Sequence, residues 1–338
     1  MTAPDPSPIL DLLDAFRRSK TLFTAVRMGV FDLLEPGPAT AQELAPRIGA
    51  NPAALERLME GCASLGLLER RDGLFANTSI AREYLTRSSP RTLAGYILYS
   101  DDALYRLWGD LEGAVREASP RWDKVFGPGG SIFDHFYRTE QARADFLAGM
   151  HGIGLLSSPA VVRAFNLNAF ETLVDLGGGT GHLAIAACER YGRMRAVVFD
   201  LPEVIPYARR HIEDSRARDR IECHAGDFFR DELPRASLYA LGRILHDWPD
   251  ARCAELLRRV HAALEPGGAV LIAEKLLDDD RCGPASACMQ SLNMLVCTEG
   301  RERTEGEFRE LLAAAGFDRM EARRTGAPLD AIFARRKE

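Results

Sequence analysis

The sequence predicts an α/β protein in which a doubly wound parallel sheet follows an N-terminal part made of helices. From residue 171 onward short apolar runs alternate with helical patterns, whereas the first hundred residues show helical periodicity with one hairpin signal. The 338 residues also exceed one average domain of about 150 residues. We therefore expect a largely helical domain in residues 1–100, a helical linker that contributes to the substrate pocket in 101–165, and the sheet domain in 166–338.

Composition and charge exclude several classes of protein. Apolar residues make up 46% and charged residues 27% of the chain, which excludes a disordered or collagen-like protein. The formal net charge of -6 argues against nucleic acid as the main partner. We find no apolar run long enough to span a membrane, no signal peptide, and no C-x-x-C among the seven cysteines. These observations favour a cytoplasmic protein without a zinc site or disulfide scaffold.

Helix-start signals organise the first hundred residues. Apolar residues recur at helical spacing over residues 9–34. Thr40 followed by Glu43 is a capping-box pattern, and Asn51 followed by Pro52 predicts a second helix start. Each pattern supplies partners for amide groups that the first turn of a helix leaves without them. Several short helices are therefore expected here.

A hairpin signal completes this N-terminal part. Asp72-Gly73 lies between two short apolar segments, as in a two-residue β-turn. Helix, helix and hairpin in this order are typical of a winged helix, a fold that often binds DNA. The helix over residues 51–65 offers only Arg57 as a cation beside two glutamates, however, whereas DNA phosphates require positive charge. We therefore favour a structural or dimerising role over DNA binding.

The rest of the chain is divided between helices and strands. Residues 90–165 show helical patterns that the breaker cluster 126–130 interrupts. Beyond them, helical patterns separate most of five short apolar runs, which predicts a buried parallel sheet. The runs are 172–176, 195–199, 220–223, 237–241 and 269–273.

The first of these strands ends in a glycine-rich turn. Four of the five residues 177–181 are glycine, and Asp200 closes the second strand 19 residues after Gly181. Clustered glycines let the backbone approach a ligand closely, and a carboxylate at this distance can accept hydrogen bonds from a ribose diol. His182 stands where a dinucleotide fingerprint requires glycine. The pattern therefore favours S-adenosylmethionine over a dinucleotide.

Three further residues fit such a ligand. Asp175, which precedes the glycines, is suited to the ammonium group of S-adenosylmethionine, directly or through water. Asp227 and Phe228 follow the third strand, where they supply a carboxylate near the adenine and an aromatic wall. Together with the glycine turn, these residues describe a nucleoside-binding crevice at the C-terminal edge of the sheet.

A candidate base lies at the end of the fourth strand. His246 follows that strand directly, and an ordinary histidine pKa of about 6.5 suits a general base at neutral pH. Glu274 ends the fifth strand on the same edge, which favours this role over that of a helix-start histidine. Glu302 is either a further partner of the imidazole, as in a catalytic triad, or part of a solvated loop before a capping box at Thr304. The three acids 278–280 are more typical of a solvated loop than of a metal site.

These residues carry a family resemblance that extends over essentially the whole chain. The sequence resembles the acetylserotonin (hydroxyindole) O-methyltransferases and, more broadly, the caffeic-acid-type small-molecule O-methyltransferases. The resemblance implies a Rossmann-like methyltransferase domain that depends on S-adenosylmethionine, preceded by a winged-helix dimerisation domain. The matching segments are 174–181, 199–204, 226–229, 243–248, 276–280, 291–296, 302–304 and 330–332.

The resemblance also implies a role for individual residues. His246 would be the catalytic base, flanked by Glu274 and Glu302. The residues implied for the cofactor are Tyr137, Asp175, Gly177, Gly179, Asp200, Leu201, Asp227, Phe228 and Arg243. Those implied for the acceptor substrate are Asp247, Asn293, Met294 and Cys297. Two positions depart from the family, because Cys297 replaces a glutamine expected at the substrate amide and Gly154 replaces a tryptophan expected over the cofactor.

The expected function is transfer of a methyl group from S-adenosylmethionine to a hydroxyl of a small aromatic molecule, with S-adenosylhomocysteine as product. A histidine base suffices for this reaction, so no metal is expected. A first alternative keeps the donor but has a thioether or amine as acceptor, and a second makes the chain a cofactor-sensing regulator. The apolar residues Phe16, Leu22, Phe23 and Val26 fit a homodimer interface.

Overall fold

The computed structural model describes residues 4–129 and 132–337, which fall into two compact units. The first contains the segment that ends at Tyr105 together with Ala144–Gly152. The second contains Arg106–Arg143 and the segment that begins at Ile153. In the described part of the chain, no helix combines the length and apolarity that a membrane crossing requires.

Short helices build most of the first unit. The capping box at Thr40 forms as predicted, with the Thr40 amide donating to Glu43 at 2.7 Å. The Asn51 side chain accepts from the Ala54 amide at 3.1 Å, as predicted for a helix start. The helical pattern over 9–34 is broken at Gly29, whose φ is 71°. The helices are α1 (Ser7–Arg27), α2 (Val30–Leu33), α3 (Ala41–Leu44), α4 (Pro52–Ser64), α5 (Ser79–Tyr84) and α6 (Ala94–Tyr99).

The predicted hairpin forms in the first unit. Strands β1 (Leu68–Arg71) and β2 (Leu74–Asn77) pair antiparallel. Asp72 and Gly73 have φ values of 49° and 82°, as the two central residues of such a turn require. The side chain of Arg70 in β1 pairs with Glu56, one of the two glutamates of α4.

The beginning of α1 leaves an apolar surface exposed. Its large apolar side chains each expose more than half of their surface, which is unusual for residues of this type. They are Ile9 (65%), Leu10 (55%), Leu12 (77%), Leu13 (62%) and Phe16 (52%). By contrast, Val26 at the end of the same helix is buried with Phe31, Leu55 and Phe75 in the core of the unit, so the expectation that it lies at a dimer interface is wrong.

A seven-stranded sheet forms the centre of the second unit. Its strands are β3 (Thr172–Leu176), β4 (Arg195–Asp200), β5 (Ile221–Ala225), β6 (Ala236–Gly242), β7 (Leu264–Glu274), β10 (Phe317–Arg323) and β11 (Asp330–Arg336). Five of them are parallel, as predicted, and lie in the order β7-β6-β3-β4-β5. Strands β10 and β11, which were not predicted, extend the sheet antiparallel at its β7 edge.

Two short strands and the remaining helices complete the chain. Strands β8 (Leu276–Leu277) and β9 (Arg303–Thr304) pair parallel with each other. Of the breaker cluster 126–130, Gly130 lies outside the described residues. The helices are α7 (Tyr105–Trp108), α8 (Leu111–Glu117), α9 (Trp122–Phe126), α10 (Ile132–Phe136), α11 (Glu140–Ala164), α12 (His182–Arg190), α13 (Ile205–Glu213), α14 (Asp250–Ala263), α15 (Ala285–Cys297) and α16 (Glu305–Ala314).

The strand order places the candidate site. Strand β3 is flanked by β4, which leads away from it toward one edge, and by β6, which leads toward the other. Such a reversal opens a crevice at the carboxyl ends of the strands, where α/β sheets bind ligands. The glycine turn follows β3, Asp200 ends β4, His246 follows β6 and Glu274 ends β7. All four sequence features therefore meet at one edge of the sheet.

Candidate active site

The glycine turn between β3 and α12 depends on left-handed backbone conformations. Gly177, Gly179 and Gly181 have φ values of 64°, 57° and 77°, a region that side chains disfavour. A Cβ atom on Gly177 would lie 2.4 Å from Cδ1 of Ile244. At Gly179 a Cβ atom would meet no described atom within 4 Å, so space lies open beside the backbone. The turn therefore packs closely against Ile244 at Gly177 and is accessible at Gly179.

Asp200 connects the end of β4 with this turn. One carboxylate oxygen accepts from the Gly179 amide at 2.7 Å, and the other accepts from the Leu201 amide at 2.7 Å. Burial raises the pKa of Asp200 to about 6, although both hydrogen bonds oppose the shift. Each oxygen retains a further lone pair, so the carboxylate can still accept from a ligand hydroxyl.

Asp175 is directed into the fold. Its side chain is 1% exposed and accepts from the Ala184 amide in the first turn of α12 at 3.0 Å. Burial raises the pKa of Asp175 to about 7. This carboxylate therefore caps the helix that follows the glycine turn, a structural contact that the sequence analysis did not anticipate.

The other cofactor candidates surround the turn. Cε1 of Phe228 lies 3.3 Å from the position of a Cβ on Gly177, and Asp227 accepts from the Phe229 amide at 2.8 Å. Burial raises the pKa of the Tyr137 phenol, and the negative charge of Asp200 raises it further. The amide of Arg243, a residue with φ of 59°, donates to Ala273 at 3.0 Å and so joins the ends of β6 and β7.

His246 and Glu302 form a buried pair. Nδ1 of His246 lies 2.7 Å from Oε1 of Glu302, and the two residues are 3% and 1% exposed. Burial lowers the pKa of His246 and raises that of Glu302, whereas the hydrogen bond between them favours the ionised carboxylate. Glu302 is thus a partner of the imidazole, and the alternative of a solvated loop at this position is wrong. His246 itself lies in a short 3-10 turn, and Pro249 rather than an aspartate occupies the N-cap of α14.

Glu274 contacts the backbone of the turn rather than the imidazole. Oε1 of Glu274 accepts from the amides of Leu245 and His246 at 2.7 and 3.1 Å. The side chain is fully buried, and burial raises the pKa of Glu274. Oε2 of Glu274 and Oε2 of Glu302 are both buried without a hydrogen-bond partner in the described structure. Glu302 therefore orients the ring, whereas Glu274 holds the turn from which the ring projects.

The same three residues have the spacing of a metal site. Ligand atoms of His246, Glu274 and Glu302 lie within 4.8 Å of one another, the only such group within the described ranges. Nδ1 of His246 and Oε1 of Glu302 are also within direct hydrogen-bonding distance, so a shared proton accounts for their contact. The acids 278–280 are exposed, and Asp278 pairs with Arg324 at 2.8 Å, as a solvated loop would.

The acceptor candidates lie on α15 and in the His246 turn. Oδ1 of Asp247 lies 3.7 Å from Nε2 of His246, and burial raises the pKa of Asp247 to about 6. Oδ1 of Asn293 accepts from Nε1 of Trp108 at 2.8 Å and from the Cys297 thiol at 3.7 Å. Burial raises the pKa of the Cys297 thiol, and Asp247 raises it further. These residues are therefore close to one another, and Met294 is buried on the same helix.

Two tryptophans of this region were not identified from the sequence. Trp108 fixes Asn293, and Nε1 of Trp122 donates to the carbonyl of Cys297 at 2.8 Å. An indole N–H needs a partner when buried, which is the only local signal that either residue offered. Their partners lie 185 and 175 residues away along the chain, beyond the reach of pattern analysis.

The departure at Gly154 has a structural counterpart. A Cβ atom on Gly154 would lie 2.3 Å from the ring of His182, so this ring occupies the space that a larger residue would need. Nδ1 of His182 lies 2.8 Å from Oγ of Ser158, and burial lowers the pKa of His182 to about 4. The imidazole beside the glycine turn is therefore neutral at physiological pH.

Comparison with known proteins agrees with this geometry. Residues 108–318 match the O-methyltransferase domain model, and residues 10–87 match the O-methyltransferase dimerisation domain model. The bovine acetylserotonin O-methyltransferase is 43% identical over 98% of this chain and 97% of its own. The crystal structure of human N-acetylserotonin methyltransferase in complex with S-adenosylmethionine has a TM-score of 0.94 at 39% identity and covers 100% of both chains.

A more distant solved relative is also informative. The N,N-8-amino-8-demethyl-D-riboflavin dimethyltransferase of Streptomyces davawensis has a TM-score of 0.83 at 25% identity, over 99% of this chain and 100% of its own. The fold class, the family resemblance and the enzyme class expected from the motifs are confirmed. The chain belongs to the O-methyltransferase family.

Proposed function

We propose that this protein methylates a hydroxyl group of a small aromatic molecule, with S-adenosylmethionine as donor and His246 as general base. The observation that carries the proposal is the buried contact of 2.7 Å between His246 and Glu302. This pair follows β6, at the edge of the sheet that also holds the glycine turn. A base and a nucleoside-binding turn at one crevice are the two parts that such a transfer needs.

The residues around the glycine turn fit S-adenosylmethionine, which is bound in the solved human relative. The backbone at Gly179 is accessible, and the Asp200 carboxylate retains acceptor capacity for the ribose hydroxyls. Phe228 supplies an apolar surface beside the turn, and burial and the negative charge of Asp200 raise the pKa of the Tyr137 phenol. When bound, the sulfonium donor supplies an activated methyl group that leaves S-adenosylhomocysteine behind.

The His246–Glu302 pair accounts for proton removal. With Nδ1–H donated to the Glu302 carboxylate, the lone pair of Nε2 is available to a substrate hydroxyl. The proton passes from the acceptor oxygen to Nε2, and the imidazolium that forms is stabilised by the adjacent carboxylate. The pair needs no metal for this step, so we expect chelators to leave turnover unchanged.

The acceptor side favours a substrate with a hydrogen-bond-accepting oxygen. Nε1 of Trp108 can only donate, so its contact with Oδ1 fixes the orientation of the Asn293 amide. The NH2 group of Asn293 is then left to donate to a ligand. Gln290, one turn earlier on α15, also has a buried Nε2 without a partner among the described residues. Hydroxyindoles or phenols with a carbonyl substituent match these donors.

The decisive experiment is a labelled-methyl screen of phenols, hydroxyindoles, hydroxy acids, thioethers and amines. His246→Ala should lower kcat by about 10²- to 10⁴-fold on a hydroxyl acceptor, while calorimetry shows unchanged binding of S-adenosylmethionine. Asp279→Ala, in the exposed acidic loop, serves as the control and should match wild type. Near-normal turnover of His246→Ala would remove the proton-abstraction role.

Methylation of an amine is the second candidate, because an aminoriboflavin dimethyltransferase shares this fold. A neutral amine gives up its proton after the methyl group has been transferred, so His246 would contribute less to kcat. Label incorporated only into amines, together with a turnover of His246→Ala within about tenfold of wild type, would favour this reading over the first.

We also propose that the protein is a homodimer. The match to a dimerisation domain and the exposed apolar side chains at the start of α1, Phe16 among them, support this assembly. A dimeric mass at micromolar concentration is expected. Phe16→Glu should weaken the dimer, whereas a monomeric wild type would contradict the proposal.

A further inference from the structure

The segment between α15 and α16 packs closely around the turn that carries His246. A Cβ atom on Gly300 would lie 2.1 Å from the carbonyl oxygen of His246 and 2.5 Å from the amide nitrogen of Trp248. Only glycine lets the two backbone segments lie this close together. Glu302, two residues later, reaches the imidazole. The segment therefore contacts both the backbone and the ring of His246.

Arg303, the next residue, is the most completely buried cation near the site, with an exposure of 0%. Its guanidinium donates to the carbonyl of Leu245 at 3.0 Å and to that of Trp248 at 2.9 Å. These carbonyls lie on either side of His246. The charge is balanced by Asp250, which accepts from Nε at 3.0 Å and from a terminal nitrogen at 2.8 Å.

The amide and carbonyl groups of the His246 turn are thus bound by side chains of opposite charge. The Glu274 carboxylate accepts from the amides of Leu245 and His246, while the Arg303 guanidinium donates to the carbonyls of Leu245 and Trp248. Hydrogen bonds to charged groups are stronger than neutral ones, and a guanidinium presents its donors in a fixed plane. A lysine presents its donors from a single nitrogen and lacks this fixed plane.

We propose that Arg303 is a positioning residue that holds the His246 turn so that the imidazole meets Glu302 and the acceptor in reactive geometry. The inference rests on the proposed function, in which His246 is the base. A misplacement of about 1 Å in such a group lowers turnover by about 100-fold. Arg303 also acts through its charge, because a cation facing the imidazole disfavours the imidazolium.

The other charged groups that face His246 are Asp247, Glu274, Glu302 and Arg243. The carboxylates favour the imidazolium, whereas Arg243 and Arg303 oppose it. Loss of the Arg303 charge therefore raises the pKa of His246, and activity is then lost at a higher pH as the solution is acidified. We call this loss of activity on acidification the acid limb of the pH profile. Replacing a residue that only stabilised the fold would not shift the acid limb.

The test compares Arg303→Lys and Arg303→Met with the matched control Arg301→Met. Arg301 pairs with the same Asp250, at 3.0 Å, but donates to neither carbonyl of the turn. We expect Arg303→Lys to lower kcat about 10- to 100-fold with the KM for S-adenosylmethionine nearly unchanged and the acid limb in place. Arg303→Met should lower kcat at least as much and move the acid limb upward. The control should stay within about twofold of wild type.

Two outcomes would overturn the proposal: a kcat of Arg303→Lys equal to wild type, or an acid limb that does not move in folded Arg303→Met. If Arg303→Met fails to fold, Gly300→Ala gives a second test, because it displaces the turn while leaving every charge in place. Nuclear magnetic resonance titration of the His246 ring in the free protein separates this inference from the proposed function. A shifted ring titration in Arg303→Met together with full turnover of His246→Ala would show that Arg303 controls the imidazole but that the imidazole is not the base, which rejects the proposed function and with it the role of Arg303 in turnover.

Discussion

The glycine turn and the His246 turn lie at the same edge of the sheet but are built in opposite ways. The glycine turn consists of neighbouring residues, and its carboxylate, Asp200, has both oxygens bonded to backbone amides. The His246 turn is assembled from distant residues, and two buried carboxylate oxygens, on Glu274 and Glu302, have no described partner. One region offers main-chain groups to a ligand, and the other concentrates side-chain charge away from water.

The difference matches the two tasks that we propose for these regions. A nucleoside site needs a complementary surface with accessible hydrogen-bond donors and acceptors. The backbone of a glycine-rich turn can provide both. Moving a proton needs groups whose pKa values differ from their ordinary ones, and burial provides this shift. Burial raises the pKa of both Glu302 and Asp200, but Glu302 is hydrogen-bonded to another titratable side chain, the imidazole of His246, whereas Asp200 is bonded to backbone amides.

The largest expected effect lies in the buried pair. Glu302→Gln preserves the shape but removes the charge that stabilises the imidazolium, so kcat should fall about 100-fold. Because the imidazolium is then less favourable, the pKa of His246 falls, and the acid limb of kcat/KM moves to lower pH. The measurement is a pH profile of both proteins with calorimetry of the donor. If the acid limb of Glu302→Gln did not move, the Glu302 charge would not act on His246. If the variant bound S-adenosylmethionine more weakly, Glu302 would also contribute to donor binding. Either result would contradict the separation of the two regions.

A smaller effect is expected from alanine in the glycine turn. Gly177→Ala should reduce both thermal stability and donor affinity, because the added Cβ would meet Ile244 at 2.4 Å. In Gly179→Ala the added Cβ meets no atom of the described residues, and the variant carries only the left-handed strain of about 1 kcal/mol. Its donor affinity should nevertheless fall by about tenfold. An unchanged affinity of Gly179→Ala for S-adenosylmethionine would show that no ligand approaches the backbone at Gly179.

The smallest expected effect concerns Asp200. Its protonated form accepts fewer hydrogen bonds, so donor affinity should weaken as the pH falls through about 6, the value to which burial raises the pKa of Asp200. Asp200→Asn should bind the donor a few-fold more weakly and should lose this pH dependence. Titration calorimetry between pH 5 and 8 tests both statements. If Asp200→Asn kept the wild-type pH dependence of donor affinity, a group other than Asp200 would be responsible for it.

The same contrast explains which features the sequence could predict. The glycine turn and the capping boxes at Thr40 and Thr304 are short-range patterns, so their residues alone define them. The His246–Glu302 contact joins residues 56 positions apart, and nothing local distinguishes Glu302 from the charges beside it. Arg303 was passed over as one more charge of a loop, although it is fully buried.

Strands β10 and β11 were missed for a related reason. In β10 the apolar residues Phe317 and Met320 are separated by two exposed positions, so strict alternation is absent. The antiparallel pairing of β11 with β7 is a tertiary contact that identifies the strand only in the folded protein. Local periodicity therefore predicts the parallel core better than the edge that extends it.

The capping box at Thr304 has a further consequence. Thr304 is the N-cap of α16 and directly follows Glu302 and Arg303, so the first turn of this helix anchors the two residues that contact the His246 turn. Fraying of one helix end would release both side chains together while the sheet stayed intact. Heat would then inactivate the enzyme before it unfolded, and the durability of catalysis would depend on one threonine hydroxyl.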